Sequence, residues 1–175
     1  LINVWSPTYR NPTSVLRGAS DWINCVAFHP NDHRKLSSGG WDNMVSVWTD
    51  GNRRTSYVDC LSDVQYSDDG SRIVTTSYNG ALTVLKNDHS LDSVNVLYPH
   101  QGKANKVRFG GSYLVTAGQD HSINIRDKMA LDLKNEFFCQ APVTALSVKQ
   151  VDSDVHVVAG DQIGNVYVLK IVKVN

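Results

Sequence analysis

An apolar pattern recurs about every forty residues along the chain, and this repeat limits the possible folds more than any other feature. The pattern is apolar-x-x-apolar-x-apolar, where x is any residue. The third positions are Phe28, Tyr66, Phe109 and Val148, which lie 38, 43 and 39 residues apart. A second landmark, the bulky residue that closes a short strand-like run, has a similar spacing. It falls at Trp5, Trp48, Leu85, Arg126 and Leu169. Two landmarks with one period predict a repeat architecture whose units bury their apolar faces against neighbouring units.

Within each repeat the apolar residues alternate with polar ones, as in half-buried strands. Residues 64–66, 82–85, 107–109 and 166–169 are examples. Turn sequences separate these runs, among them Asn79-Gly80 and the segment 68–70, Asp-Asp-Gly. Residues 129–133 alone have a helix-like pattern, but the segment is short and lacks a cap, so we interpret it as a connector or an outer strand. The sequence predicts an all-β fold.

Composition excludes several classes of protein. The 17 basic residues balance the 17 acidic residues, so the chain lacks the broad positive field of a non-specific nucleic-acid or membrane-surface binder. No run approaches the roughly 18 apolar residues of a membrane span, and the first residues do not resemble a signal peptide. Three cysteines, Cys25, Cys60 and Cys139, form no disulfide framework. We therefore expect a cytoplasmic or nuclear protein without membrane contact.

The phased elements resemble the repeat of the WD40 family of β-propellers. Residues 23–32 read Ile-Asn-Cys-Val-Ala-Phe-His-Pro-Asn-Asp, and residues 38–48 run from Ser38 through Trp41-Asp42 to Trp48. The third copy has Pro99-His100 four residues before Ala104. Two local stretches are also similar to known propellers. Residues 22–26 with 40–42 resemble one blade of the receptor for activated C kinase, and residues 160–170 resemble the last blade of the apoptosome or telomerase/vault-associated families.

The resemblance implies an all-β WD40-type β-propeller segment, about four blades of a seven-bladed ring. It places the last two strands of a preceding blade at 1–17, full blades at 18–57, 58–98 and 99–138, and a final blade without its outer strand at 139–175. Seven blades need roughly 290 residues, so we expect this chain to be a segment of a larger propeller, with Asn175 as its end. A four-bladed ring is the alternative.

The resemblance also implies a buried relay of His, Ser or Thr, Asp and Trp in each blade, in which every polar atom finds a partner. The candidate members are Ser38, Asp42, Trp48, Thr75, Asn79, His100, Thr116 and Asp120. Several positions depart from the family pattern. Ala19 stands at the His position of the first copy. In the second copy, Tyr57 stands at the His position and Leu85 at the Trp position. Arg126 replaces Trp in the third copy. In the fourth copy, the four relay positions are residues 139, 159, 163 and 169, which are Cys, Ala, Ile and Leu, so no relay is expected there.

The sequence contains no pattern that predicts catalysis, a cofactor or a metal. There is no Gly-x-Ser-x-Gly elbow and no phosphate-binding Gly-rich loop. Cys25, His29 and His33 lie at four-residue steps, but this stretch reads as a strand and a turn, where such steps do not converge. His100 has the relay position, which favours a structural histidine over a base. We expect a non-enzyme without a small-molecule substrate.

The family's usual binding surface is the rim where the outer-to-inner connections and the second-to-third-strand turns meet. The residues at these positions are Asp21, Trp22, Trp41, Tyr78, Lys103, Gln119 and Gln162. The three aromatic residues would form a cluster across two neighbouring blades, although Trp22 and Trp41 could instead pack against their own blades. Small basic groups at 33–35, 53–54 and around Lys103, Lys106 and Arg108 leave a phosphate or RNA contact as an alternative.

These features favour a non-catalytic scaffold that binds other proteins, as part of a multi-subunit complex. One alternative is a regulatory propeller attached to a nucleotide-driven signalling ATPase, and another is a propeller associated with RNA or ribonucleoprotein.

Overall fold

A computed structural model describes residues 1–172 and contains seventeen strands and no helix within that range. The strands are β1 (Ile2–Val4), β2 (Ser14–Leu16), β3 (Ile23–Phe28), β4 (Lys35–Gly40), β5 (Met44–Thr49), β6 (Asn52–Tyr57), β7 (Leu61–Tyr66), β8 (Arg72–Ser77), β9 (Leu82–Lys86), β10 (Ser93–Leu97), β11 (Ala104–Gly110), β12 (Tyr113–Gly118), β13 (Ser122–Asp127), β14 (Leu133–Phe138), β15 (Val143–Val151), β16 (Asp154–Asp161) and β17 (Val166–Ile171). Accordingly, this part of the chain has no helix that could cross a lipid bilayer.

The strands pair in chain order into antiparallel sheets. Blade 1 is β3–β6, blade 2 is β7–β10, blade 3 is β11–β14, and blade 4 is the three-stranded sheet β15–β17. A two-stranded N-terminal sheet, β1–β2, precedes them. The four copies of the apolar pattern are the inner strands β3, β7, β11 and β15, so the predicted all-β fold is confirmed. The helix-like segment at 129–133 is a turn that leads into β14, with Leu131 at a positive φ of 65°.

The blade boundaries inferred from the sequence, at residues 18, 58, 99 and 139, stay a prediction. The last predicted blade, 139–175, includes residues 173–175, which lie outside the described residues.

The core lies between blades. One apolar cluster joins Val45 and Val47 of blade 1 to Leu61 and Ile73 of blade 2. Equivalent clusters join blade 2 to blade 3 and blade 3 to blade 4, and Leu16 of the N-terminal sheet packs with Trp48 of blade 1. Each inner strand also lies beside the inner strand of the next blade. The blades therefore follow one another around a common axis, as in a propeller.

The two-residue period of the strands explains how one sheet supplies two of these clusters. Neighbouring residues Ile73 and Val74 of β8 point into different clusters, towards blade 1 and blade 3 respectively. Leu114 and Val115 of β12 divide in the same way between blades 2 and 4. Because successive side chains leave a strand on opposite faces, a middle strand that is buried on both faces can supply apolar side chains to two clusters.

All four inner strands carry a β-bulge at the same place. The pairing with the second strand skips one residue, which is Asn24, Ser62, Asn105 and Thr144 in blades 1 to 4. A bulged residue is released from the ladder, so its side chain can be directed elsewhere. The Asn24 amide donates to the carbonyl of Leu61 at 2.9 Å, the Ser62 hydroxyl donates to that of Ala104, and the Asn105 amide donates to that of Val143 at 2.7 Å. We call these side chains the bulge donors. Each one ties its blade to the first residue of the next inner strand.

Candidate partner-binding rim

Four backbone hydrogen bonds build one rim of the molecule. In each blade the residue after the second strand donates to the carbonyl of the residue before the inner strand. The bonds run from Trp41 to Trp22 at 2.9 Å, from Tyr78 to Cys60 at 3.0 Å, from Gln119 to Lys103 at 2.8 Å and from Gln162 to Pro142 at 3.0 Å. These bonds place six of the predicted partner-binding residues on a single rim, and they pair Trp22 with Trp41 and Lys103 with Gln119.

Three aromatic side chains on this rim contact one another across blades 1 and 2. The ring centroids of Trp22 and Trp41 are 5.7 Å apart, and those of Trp41 and Tyr78 are 5.8 Å apart. The ammonium of Lys103, from blade 3, lies 4.1 Å from the Tyr78 ring centroid. We call Trp22, Trp41, Tyr78 and Lys103 the aromatic rim. The exposed fractions of the three aromatic residues are 73%, 47% and 37% in that order, so their rings form a surface feature.

The other predicted rim residues flank this group. Asp21 is exposed, and its Oδ1 accepts a hydrogen bond of 2.7 Å from the amide of Trp22. Gln119 and Gln162 are exposed at the equivalent places in blades 3 and 4. The aromatic contacts are thus concentrated on blades 1 and 2. The rim of blades 3 and 4 presents the side-chain amides of Gln119 and Gln162 together with Lys103.

Blade 3 contains a buried His–Thr–Asp network. His100 Nδ1 is 2.9 Å from Asp120 Oδ1, and His100 Nε2 is 2.8 Å from the Thr116 hydroxyl. Because a carboxylate can only accept, His100 donates through Nδ1 and accepts at Nε2. Burial lowers the pKa of His100, which favours the neutral form of the ring. Burial alone would raise the pKa of Asp120, but hydrogen bonds from Gln101, His100 and Ser122 together lower it.

Blade 1 has no histidine in this position, and Arg53 of its outer strand takes its place. The Trp48 indole donates to the Ser38 hydroxyl at 2.9 Å. Arg53 lies with its guanidinium carbon 5.4 Å from the Trp48 ring centroid and forms an ion pair of 3.4 Å with Asp42. Its Nε donates to Ser46 at 3.0 Å, and its Nη1 donates to the carbonyl of Gly18. Asp42 is therefore joined to Trp48 through an arginine and not through a histidine.

The two relay candidates of blade 2, Thr75 and Asn79, form no hydrogen bond with each other. The Thr75 hydroxyl is buried, and no hydrogen-bond partner for it is found in the described part of the chain. The side chain of Asn79 instead accepts from the Ser77 hydroxyl at 2.7 Å and the Ala81 amide at 3.0 Å, which closes the turn between β8 and β9. Tyr57 is 69% exposed at the end of an outer strand. Blade 2 instead has a buried hydrogen bond of 3.0 Å between the hydroxyls of Ser62 and Thr76, which joins β7 to β8.

Two buried cysteine thiols and an arginine on the opposite rim are further candidates for reactive or ligand-binding groups. Burial raises the pKa of Cys25 to about 12 and that of Cys139 to about 11, so neither is a thiolate near neutral pH. Residues 1–172 contain no group of three or more His, Cys, Asp or Glu placed to hold a metal ion. On the opposite rim, Arg34 pairs with Asp32 at 3.2 Å and with Asp50 at 3.7 Å.

Comparisons with known proteins agree with this architecture. Residues 10–49 match the family model of the WD domain, G-beta repeat, and residues 100–171 match that of the TEP-1 C-terminal beta-propeller. The chain folds as blades of a WD40-type β-propeller. The crystal structure of RRP9 WD40 repeats superposes with a TM-score of 0.78 at 18% identity, over 89% of this chain and 50% of that one.

Two designed proteins have the same arrangement of blades. The computationally designed Ika4 protein has a TM-score of 0.76 at 24% identity, over 90% of this chain and 96% of that one. The designed Ika8 protein has a TM-score of 0.75 at 24% identity, over 89% of this chain and 48% of that one. At these identities the likeness concerns the fold.

A curated relative is MST50-interacting protein 11 of Pyricularia oryzae, which is 34% identical over 77 residues. The match covers 39% of this chain and 23% of the relative, so the chain spans about a quarter of the length of that protein.

Sequence reasoning missed two polar networks of these WD40 blades. In the sequence, Arg53 stands out only as part of the small basic group at 53–54. The one signal for its role is Ala19 at the His position, which leaves Asp42 without the family's partner. Blade 4, for which no relay was expected, has its own network around Asp161. The carboxylate accepts from the Tyr167 hydroxyl and from the Asn165 amide, both at 2.9 Å, and the Tyr167 hydroxyl accepts from the Gln140 backbone amide at 2.9 Å.

Proposed function

We propose that this chain is a non-catalytic scaffold of a multi-subunit assembly, and that a partner protein binds on the aromatic rim. The observation that carries this proposal is the contact of three exposed aromatic rings across two blades. Large aromatic side chains are the commonest anchors of protein interfaces, because each removes much apolar surface from water at a low cost in conformational entropy.

The alternative role for the two tryptophans, packing against their own blades, has less support. Trp22 is 73% exposed and Trp41 is 47% exposed, whereas Trp48, which does pack within its blade, is 2% exposed. A scattered exposed aromatic residue needs no explanation, but adjacent ones on neighbouring blades form a continuous apolar patch. Such a patch favours an interaction surface.

Two further observations support a passive role. The histidine best placed for acid–base chemistry, His100, has a fully buried side chain and uses both ring nitrogens in hydrogen bonds. The relative from Pyricularia oryzae is named for its interaction with a protein, and by analogy we propose protein partners here. We also propose a cytoplasmic or nuclear location, which imaging of the tagged native protein would test.

The test is a pair of double variants compared in affinity capture with quantitative mass spectrometry. Trp41→Ala with Tyr78→Ala should lose specific partners while the free energy of unfolding falls by less than about 2 kcal/mol. The matched control is Phe28→Ala with Met129→Ala, which removes two side chains of 64% and 63% exposure, one at the end of β3 and the other in the turn between β13 and β14, both on the opposite rim. This control should keep the partners. If both double variants capture the same proteins as the parent chain, the aromatic rim is not the binding surface.

The match of residues 100–171 to the TEP-1 C-terminal beta-propeller model favours a second candidate, a propeller of a ribonucleoprotein. Its weakness is the pairing of the basic side chains. Within the basic groups noted in the sequence, Arg34 and Lys35 both pair with Asp32, Arg53 pairs with Asp42, and Arg108 pairs with Asp63, so these four cations are already compensated. Co-purification that is lost after nuclease treatment, and that falls steeply with salt, would favour this candidate.

A further inference from the structure

The aromatic rim is accompanied by acidic side chains in the two blades that carry the aromatic rings. Asp21 and Asp59 each stand two positions before an inner strand, where blades 3 and 4 have Gly102 and Ala141. Each uses Oδ1 to accept from the next backbone amide, at 2.7 Å for Asp21 and 2.6 Å for Asp59. Within residues 1–172, neither side chain forms an ion pair and neither Oδ2 accepts a hydrogen bond. Two carboxylates outside any ion pair thus lie in the rim segments of blades 1 and 2, one directly before Trp22 and the other directly before Cys60.

Both carboxylates act on the same region between blades 1 and 2. The pKa of the Cys60 thiol is raised first by burial and then by the negative charges of Asp59 and Asp21, while Lys103 acts in the opposite direction. Cys60 is also the residue whose carbonyl accepts from the Tyr78 amide. The two carboxylates therefore belong to the same rim segments as Trp22 and Tyr78.

The chain already contains one example of a cation on this surface. The ammonium of Lys103 lies over the Tyr78 ring at 4.1 Å, a distance at which the ring's quadrupole attracts a positive charge. This cation would repel a second one at Tyr78. The more exposed Trp22 and Trp41 rings lie on the far side of Tyr78 from blade 3, and indole attracts a cation more strongly than phenol does.

We propose that the Trp22–Trp41 pair binds a positively charged side chain, lysine or arginine, of the partner protein, with Asp21 and Asp59 supplying the opposite charge. This inference rests on the proposed function and names the chemistry of its partner. Charge complementarity decides the occupant, because the ring faces and both carboxylates favour a cation. The competing occupant is an acidic segment that would pair with Lys103, and it makes the opposite prediction for every variant below.

The test uses the purified chain and fluorescently labelled Gly-Ser peptides that carry two arginines, two lysines, two glutamates or two leucines. Binding is followed by fluorescence anisotropy, and by chemical-shift changes of the indole N–H groups. The arginine and lysine peptides should bind about tenfold more tightly than the glutamate and leucine peptides, and should shift the Trp22 and Trp41 signals but not that of the buried Trp48. Equal or tighter binding of the glutamate peptide overturns the proposal.

Charge variants give an independent readout. Asp21→Asn with Asp59→Asn keeps size and polarity, and it should weaken the arginine peptide about fivefold at low salt. Lys103→Ala should leave this binding unchanged or strengthen it, because a repelling charge is removed. A weaker interaction in Lys103→Ala, or no effect of the Asp variants, overturns the proposal.

The two proposals can fail separately. If Trp41→Ala with Tyr78→Ala loses its protein partners while the arginine and lysine peptides bind no better than the leucine peptide, the interaction surface stands and its cationic partner is wrong.

Discussion

The side-chain amide of Asn105 donates a hydrogen bond of 2.7 Å to the carbonyl of Val143, the first residue of the next blade's inner strand. Asn24 and Leu61 have the same relationship between blades 1 and 2, at 2.9 Å. Both asparagines are skipped by the strand pairing, which frees them to reach across the gap between blades. A local irregularity in each inner strand therefore supplies a polar link between neighbouring blades.

Replacing Asn105 with Ala should lower the free energy of unfolding by about 1–3 kcal/mol, because the carbonyl of the fully buried Val143 would lose its donor. Urea unfolding followed by tryptophan fluorescence would measure the change. The matched control, Asn95→Ala, removes an exposed asparagine from an outer strand and should change stability by less than about 0.5 kcal/mol. Equal effects of the two variants would show that the bulge donor contributes nothing.

A matched pair of glycines tests the close approach of the blades. Gly39 pairs with Cys25 in blade 1, and Gly160 pairs with Ala145 at the equivalent position in blade 4. A Cβ at Gly39 would lie 2.2 Å from a methyl of Leu61 in the next blade, whereas one at Gly160 would have its nearest neighbour at 3.6 Å.

Gly39→Ala should therefore cost about 1–3 kcal/mol through overpacking, and Gly160→Ala should be tolerated within about 0.5 kcal/mol. Thermal unfolding of the two variants side by side gives the comparison. A tolerated Gly39→Ala would mean that Leu61, although fully buried, can repack.

Arg53→Met should destabilise the chain by about 1–2 kcal/mol, because Asp42, whose side chain is 5% exposed, loses its ion pair and Trp48 loses its cation–π contact. Arg10→Met, at an exposed position, is the control. A double-mutant cycle with Asp42→Asn separates the ion pair from packing. The two changes should be less than additive, and strict additivity would show that the 3.4 Å contact contributes no coupling energy.

The buried His100 predicts a pH dependence of stability. Burial lowers its pKa below the ordinary value of 6.5, so as the pH falls through that value the unfolded chain binds a proton that the folded chain does not. The free energy of unfolding should fall with decreasing pH by up to about 1.4 kcal/mol per pH unit from this group. His100→Gln removes that contribution.

Urea unfolding between about pH 7 and pH 5 should therefore give a steeper loss of stability for the parent chain than for His100→Gln. The lowered pKa of Asp120 acts in the same direction but below its ordinary value of 3.8, so the two groups separate by pH window. Parallel profiles for the two proteins would contradict a neutral buried His100.

The fold was predictable because apolar spacing and turn chemistry are properties of the sequence itself. Phe28, Tyr66, Phe109 and Val148 mark equivalent positions in the inner strands, and a period of two within strands requires side chains to alternate between faces. The rim position of Trp22, Trp41 and Tyr78 follows from where the strands begin and end. That placement needed no knowledge of side-chain orientation.

The polar networks were less predictable, because they depend on side chains that reach between strands. Arg53 lies on the outer strand, and only its orientation brings it to Asp42. Thr75 has the residue type of a relay member, but Asn79 turns towards its own loop and leaves the hydroxyl alone. The bulges that release Asn24 and Asn105 have no composition signal, since the pairing register is set by two strands together.

The bulge donors reach only one blade forward, and the networks around Arg53, His100 and Asp161 each stay within a single blade, whereas the Arg108–Asp63 ion pair joins blades 2 and 3. Consequently, a substitution in one blade can be compensated inside that blade, as the arginine of blade 1 and the tyrosine–aspartate pair of blade 4 illustrate. Long-range rearrangement is unnecessary for such a change. This modularity allows the interior chemistry to vary from blade to blade while the spacing of the rim loops, and hence the shape offered to a partner, stays constant.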